Sequence, residues 1–112
     1  MFKKEYRLRD NGDFQKVFQK GRSAANRQFV VYLLPKERQE QIRVGISVSK
    51  KIGNAVTRNK VKRKIREALR LQLDQINLKG DLVVIAREPV VQMEYQELFE
   101  SLTHCLKKAK LL

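Results

Sequence analysis

A single cysteine among 112 residues leaves no internal disulfide and no cysteine cluster to hold zinc. Cys105 instead reads as a buried helix residue. No stretch approaches the roughly 18 consecutive apolar residues of a membrane span. The start, Met-Phe-Lys-Lys-Glu-Tyr, lacks the apolar core of a secretory signal, so the expectation is a cytoplasmic protein. Acidic residues are scarce, twelve against twenty-five Lys and Arg. They are also scattered, with no metal-binding spacing, no paired acids at one strand end and no glycine-rich phosphate loop. His104 stands beside Cys105, but adjacent helical residues point about 100° apart, which rules against a base and nucleophile pair. The chain is therefore expected to contain no catalytic residue and no metal site of its own.

What the sequence has in excess is positive charge in one place. The net charge is +13 and the pI about 10.2. From Lys50 to Arg70, nine residues are basic and only Glu67 is acidic. These 21 residues carry +8, and the other 91 carry +5. Such one-sided concentration is the footprint of a surface that replaces counterions along a phosphate backbone. The 42% hydrophobic fraction is ordinary for a globular protein. The length fits one domain, 1–112, that buries roughly 65% of the surface its unfolded chain exposes.

Hydrophobic periodicity divides the chain. Phe14, Val17 and Phe18 fall on one helical face between an Asp10 or Asn11 N-cap and Gly21. Phe29 to Leu34 is a six-residue apolar run, and Ile42, Val44, Ile46 and Val48 alternate with smaller or polar residues. The short polar connection between them predicts an antiparallel hairpin. A second helix starts at Asn54 or Thr57 and turns Val61, Ile65, Ala68 and Leu69 to the core, leaving cations over the remainder. Leu82 to Ala86 reads as an interior strand ended by Pro89. A last helix carries Tyr95, Leu98, Phe99, Leu102 and Leu106 inward, with glutamates at its start and lysines at its end, as its dipole favours.

Two surfaces are candidates for function. In the basic helix Arg58, Lys62 and Arg66 repeat at four residues, a like-charge ladder that is mildly destabilising alone and implies a partner that relieves it. Arg58 and Asn59 add directional donors near the helix start. The second surface is aromatic. Phe14 and Phe18 lie one turn apart, and Tyr32 shares a strand face with Val30 and Leu34. Core packing accounts for such residues as readily as a groove for unpaired bases does, in which case Ser47, Ser49, Lys50 and Lys51 would supply donors to the passing backbone.

The segment Gly53-Asn54-Ala55-Val56-Thr57-Arg58-Asn59-Lys60-Val61-Lys62-Arg63-Lys64-Ile65-Arg66, preceded by Arg43-Val44-Gly45-Ile46-Ser47-Val48-Ser49-Lys50-Lys51, closely resembles the signature of the bacterial ribonuclease P protein component. Asp13 to Phe18, Asn26 to Phe29 and Ile85 to Pro89 resemble that family too, so the likeness spans nearly the whole chain. It implies an α+β fold, a small α/β sandwich in the order helix-strand-strand-strand-helix-strand-helix. The crossover around the basic helix would be left-handed, against the general rule, and a short strand would lie near residues 20–24, where the residue pattern shows none.

In function the resemblance implies a subunit of a ribonucleoprotein endoribonuclease. Its partners would be the ribonuclease P RNA subunit and the single-stranded 5′ leader of precursor tRNA, with no DNA and no membrane, and its reach would extend to other small RNAs. Mg2+, bound mainly by the RNA, would carry the hydrolysis, leaving the protein alone inactive. Arg58, Asn59, Lys60, Lys62, Arg63 and Arg66 would contact the RNA subunit and the region near the cleavage site. Phe14, Phe18, Val30, Tyr32, Ser47, Ser49, Lys50 and Lys51 would form the leader groove. Lys60 departs from the family's usual arginine, which keeps the charge but removes a bidentate fork. A structural RNA-binding protein of ribosomal type is the alternative, and a protein-only nuclease a third reading.

Overall fold

The computed structural model describes residues 6–112. In chain order it places α1 at Asn11–Lys20, β1 at Arg22–Ala25, β2 at Phe29–Pro35, β3 at Arg43–Val48, α2 at Ala55–Gln72, β4 at Gly80–Ala86 and α3 at Tyr95–Lys108. Short 3-10 turns occupy Lys50–Ile52, Leu73–Gln75 and Glu88–Gln92. The class is α+β, and the order of helices and strands is the one the family resemblance implies.

The four strands form one sheet in the order β1-β2-β4-β3, which overturns the hairpin expected from residues 29–48. β4 lies between the two presumed partners. It runs antiparallel to β2, with Tyr32 opposite Val83, and parallel to β3, with Gly45 opposite Val83. The physical reason is burial. Leu82, Val83 and Val84 are each fully buried, so β4 is apolar on both faces and takes a central place, while β3, with its small and polar residues on one face, takes the edge. β1 joins through backbone pairing, from Arg22 opposite Leu33 to Ala25 opposite Val30. Its composition carries no apolar alternation, which is why the residue pattern does not reveal it. Asn26 shapes the turn into β2: its Oδ1 accepts from the backbone N–H groups of Gln28 and Phe29 at 3.0 and 2.7 Å, and its Nδ2 donates to the Ser101 carbonyl at 2.9 Å.

Helices cover both faces of the sheet unequally. On one side Phe29, Val31, Leu33, Val44, Leu82 and Val84 pack against Val61, Ile65 and Leu69 of α2 and Leu98, Leu102 and Leu106 of α3. Asn54 caps α2 by accepting from the Thr57 N–H at 2.9 Å. Glu94 and Glu97 form a capping box at the start of α3, satisfying backbone donors that the first turn leaves free. Cys105 is fully buried, and burial pushes its thiol pKa up, so it is an inert core residue. On the opposite side the core is small, Leu8, Val17 and Val83, with Phe14, Tyr32, Leu34 and Ile85 partly buried around it. Val17 is the one residue of α1 that is buried, and the sheet beside this helix stays open.

Candidate nucleic-acid interface

The open sheet face is built from cross-strand rows. Val30, Ile85 and Ser47 stand in one row, and Tyr32, Val83 and Gly45 in the next. α1 lies across them and carries Phe14 and Phe18. A Cβ at position 45 would overlap the Phe14 ring, so the glycine lets that ring sit on the sheet. The Phe14 and Phe18 centroids are 6.3 Å apart, and Phe18 meets Tyr32 nearly edge-on, at 5.1 Å and 80°, a favourable arrangement of ring quadrupoles. Phe18 nevertheless remains 37% exposed. An open groove of about 550 Å³ runs beside these rings, lined by Asn11, Phe14, Gln15, Phe18, Ser47 and Lys62. Asn11 and Gln15 escape a search for aromatics, although they fall on the same helical stripe as Phe14 and Phe18.

Lys62 belongs to the basic helix, so the two surfaces that the sequence presents separately share an edge. Of the like-charge ladder, Arg58, Lys62 and Arg66 are half-buried, while Asn59, Lys60 and Arg63 stand exposed. Among the described residues the one ion pair within α2 joins Glu67 and Arg70. Among the described residues no carboxylate pairs with Arg58, Lys60, Lys62, Arg63 or Arg66. The ladder turns toward the groove, as Lys62 lines it and Arg66 lines the concavity that adjoins it at Phe14 and Ile46.

Aromatic planes beside unpaired cations are the parts of a single-strand nucleic-acid surface, and comparison with known proteins narrows the lineage. Residues 2–110 match the Ribonuclease P family. The chain belongs to the ribonuclease P protein family. It is 54% identical over 107 residues to the ribonuclease P protein component of Bacillus cereus (strain AH187), covering 96% of this chain and 93% of that one. The structure of the Staphylococcus aureus RNase P protein superposes with a TM-score of 0.89 at 50% identity, over 95% of this chain and 96% of that one. The Thermotoga maritima RNase P protein gives 0.82 at 35% identity, over 90% and 94%. As a ribonuclease P protein component, the chain takes part in tRNA 5′ processing within an RNA–protein endoribonuclease, and its partner is an RNA subunit.

Within this ribonuclease P protein the remaining sequence candidates divide. Tyr32 backs Phe18, and Val30 continues the sheet floor in the row of Ser47. Ser49, Lys50 and Lys51 lie beyond the end of β3, exposed, and outside the residues that line the groove. Ser49 has a local task, its Oγ accepting from the Lys51 N–H at 3.2 Å to cap a 3-10 turn.

A buried polar network anchors the far end of the same face. Asp81 is fully buried in β4 and accepts from Arg43 Nε and Nη2, both at 2.9 Å, from Lys36 Nζ at 2.7 Å and from Gln39 Nε2 at 3.1 Å. Arg43 also reaches Asp13 of α1 at 3.5 Å. Burial alone would raise the Asp81 carboxyl, but the bonds from Arg43, Lys36 and Gln39 outweigh it and hold the pKa below its ordinary value. The sequence signal is an aspartate directly ahead of the apolar run Leu82 to Ala86. No group of three His, Cys, Asp or Glu among the described residues is placed to hold a metal ion, and no described helix is long and apolar enough to cross a membrane.

Proposed function

We propose that this chain is a cytoplasmic, single-domain subunit whose aromatic groove holds the single-stranded 5′ leader of precursor tRNA. In this reading Phe14, Phe18 and Tyr32 supply stacking surface and Ser47 and Lys62 supply donors to the leader backbone, with Val30, Ser49, Lys50 and Lys51 flanking its path. Arg58, Asn59, Lys60, Lys62, Arg63 and Arg66 contact the RNA subunit and the region near the cleavage site. Lys62 serves both surfaces because it stands where they meet. Magnesium, bound mainly by the RNA subunit, supplies the hydrolytic chemistry, and the protein holds the substrate in register with it. A reach to other small RNAs follows from a groove that reads stacking and charge rather than base edges.

The observation that carries this reading is the exposed Phe18 ring, edge-on to Tyr32, in one groove with Lys62. Core packing would have hidden that ring. The test is reconstitution: the protein alone with precursor tRNA and magnesium is expected to leave the substrate intact, and addition of the RNA subunit to release the leader. Cleavage by the protein alone would overturn the assignment. So would equal affinity of the reconstituted enzyme for precursor and mature tRNA.

A further inference from the structure

The aromatic groove does not end at Phe14. Ahead of α1, Arg7 forms a single parallel bridge with Val44 on the free edge of β3, and the Leu8 N–H donates to the Val44 carbonyl at 2.9 Å. Leu8 is buried, so its neighbours Arg7 and Arg9, two apart in extended chain, fall on the same side. Arg66 reaches the same place from α2. These three arginines, with Phe14 and Ile46, line a concavity of about 200 Å³ that shares Phe14 and Ile46 with the groove.

The three guanidinium groups have no carboxylate partner among the described residues, whose ion pairs join Lys36 and Arg43 to Asp81, Arg43 to Asp13 and Arg70 to Glu67. Arg7 Nε is shielded from solvent and has no hydrogen-bond partner. Like charges gathered around one small bowl repel until an oxyanion enters, and guanidinium forks match phosphate oxygens bidentately where ammonium groups give only point charge. The bowl is small, and its three arginines stand beside apolar Leu8, Phe14, Val44 and Ile46, a concentration of guanidinium charge that suits a phosphate.

We infer that Arg7, Arg9 and Arg66 form a phosphodiester-binding bowl that extends the groove along the β3 edge and holds a backbone phosphate of the single strand lying in it. The inference rests on the leader reading of the groove. A phosphate of the RNA subunit has the same chemistry, but the bowl adjoins the groove, with Phe14 and Ile46 common to both, which favours the leader and gives Arg66, like Lys62, a place on both surfaces.

The test uses reconstituted holoenzyme with the double variant Arg7→Ala/Arg9→Ala, precursor tRNAs of graded leader length and leaderless tRNA. Affinity for the RNA subunit is measured separately. The expected result is a loss of about 10-fold in affinity, the scale of one charge-assisted bond, once the leader is long enough to reach the bowl. Leaderless tRNA and RNA-subunit affinity stay unchanged, and the log affinity against log salt slope becomes shallower by about 0.7, one single-strand phosphate. Arg7→Lys/Arg9→Lys, which keeps the charge and guards against a folding artefact, restores the slope but not the full affinity. A loss that is independent of the leader, or one that falls on the RNA subunit, overturns the inference. If Phe18→Ala still shows leader-dependent loss in that case, the groove reading stands. If Phe18→Ala shows none, the groove reading and the bowl fall together.

Discussion

At Phe18 two roles separate by measurement. Its ring contacts Tyr32 yet stays 37% exposed, so Phe18→Ala forfeits an aromatic pair worth about 0.5 to 1.5 kcal/mol of stability, short of the 3 to 5 kcal/mol typical of a deleted core phenylalanine. Loss of a stacking plane for a base is expected to weaken leader binding by about 1 to 3 kcal/mol. Denaturant unfolding and leader-dependent binding together check this, and a stability loss in the core range with unchanged binding would refute it. Asp81 gives a residue-level prediction of the opposite kind. Its pKa is lower in the fold than its ordinary value of 3.8, so its stabilising contribution is complete above that value and is lost as pH falls from there through the folded value. Asp81→Asn is expected to cost about 2 to 4 kcal/mol at neutral pH, less than a fully buried pair because Arg43 and Lys36 keep solvent contact. Urea midpoints of the two proteins should keep a steady gap from pH 7 to about 4 and draw together as the pH falls from 3.8 toward the folded value. A gap that stays constant as the pH falls below 3.8 would mean that the carboxylate charge is not what stabilises.

Among the elements, α2 shows the tension between stability and function. Arg58, Lys62 and Arg66 stack like charges at one-turn spacing, a cost of about 0.2 to 0.5 kcal/mol per pair in an isolated helix. Val61, Ile65, Ala68 and Leu69 hold the helix against the sheet regardless. Lys62→Ala is therefore expected to leave the melting temperature unchanged or slightly raised while weakening both RNA-subunit and precursor binding, since Lys62 borders both surfaces. Calorimetry and binding on one preparation check it, and a lowered melting temperature with normal binding would assign Lys62 a structural role. The same helix was legible in the sequence because its core stripe, cap and charge are local properties of residues 54–70. β1 was not, since four residues without apolar alternation form a strand only when β2 offers its backbone. The β2 and β3 pairing failed as a sequence expectation for a related reason. A short polar connection suggests a hairpin, but it does not record that β4, apolar on both faces, competes for the place between them.

For the whole molecule, the net charge of +13 acts as a field as well as a set of contacts. If the assembled surface neutralises about five phosphates, log affinity for RNA falls against log salt with a slope of roughly −3.5 to −4.5. Binding titrations over a salt series measure it directly, and a flat response would exclude phosphate neutralisation as the main source of affinity. By itself the sequence determined the class of partner, the basic helix and, of the groove lining, Phe14, Phe18 and Ser47, because composition, helical period and an ordered family signature are written in consecutive residues. It also held Arg7, Arg9 and Asp81 in plain view without indicating their use. Tertiary structure alone decided that Arg7 and Arg9 meet Arg66 across the β3 edge, that Asp81 gathers Lys36, Gln39 and Arg43, and that Lys62 borders the rings of α1. Each of these depends on strand order and helix placement, which follow from how long-range burial is shared across the sheet rather than from any local pattern.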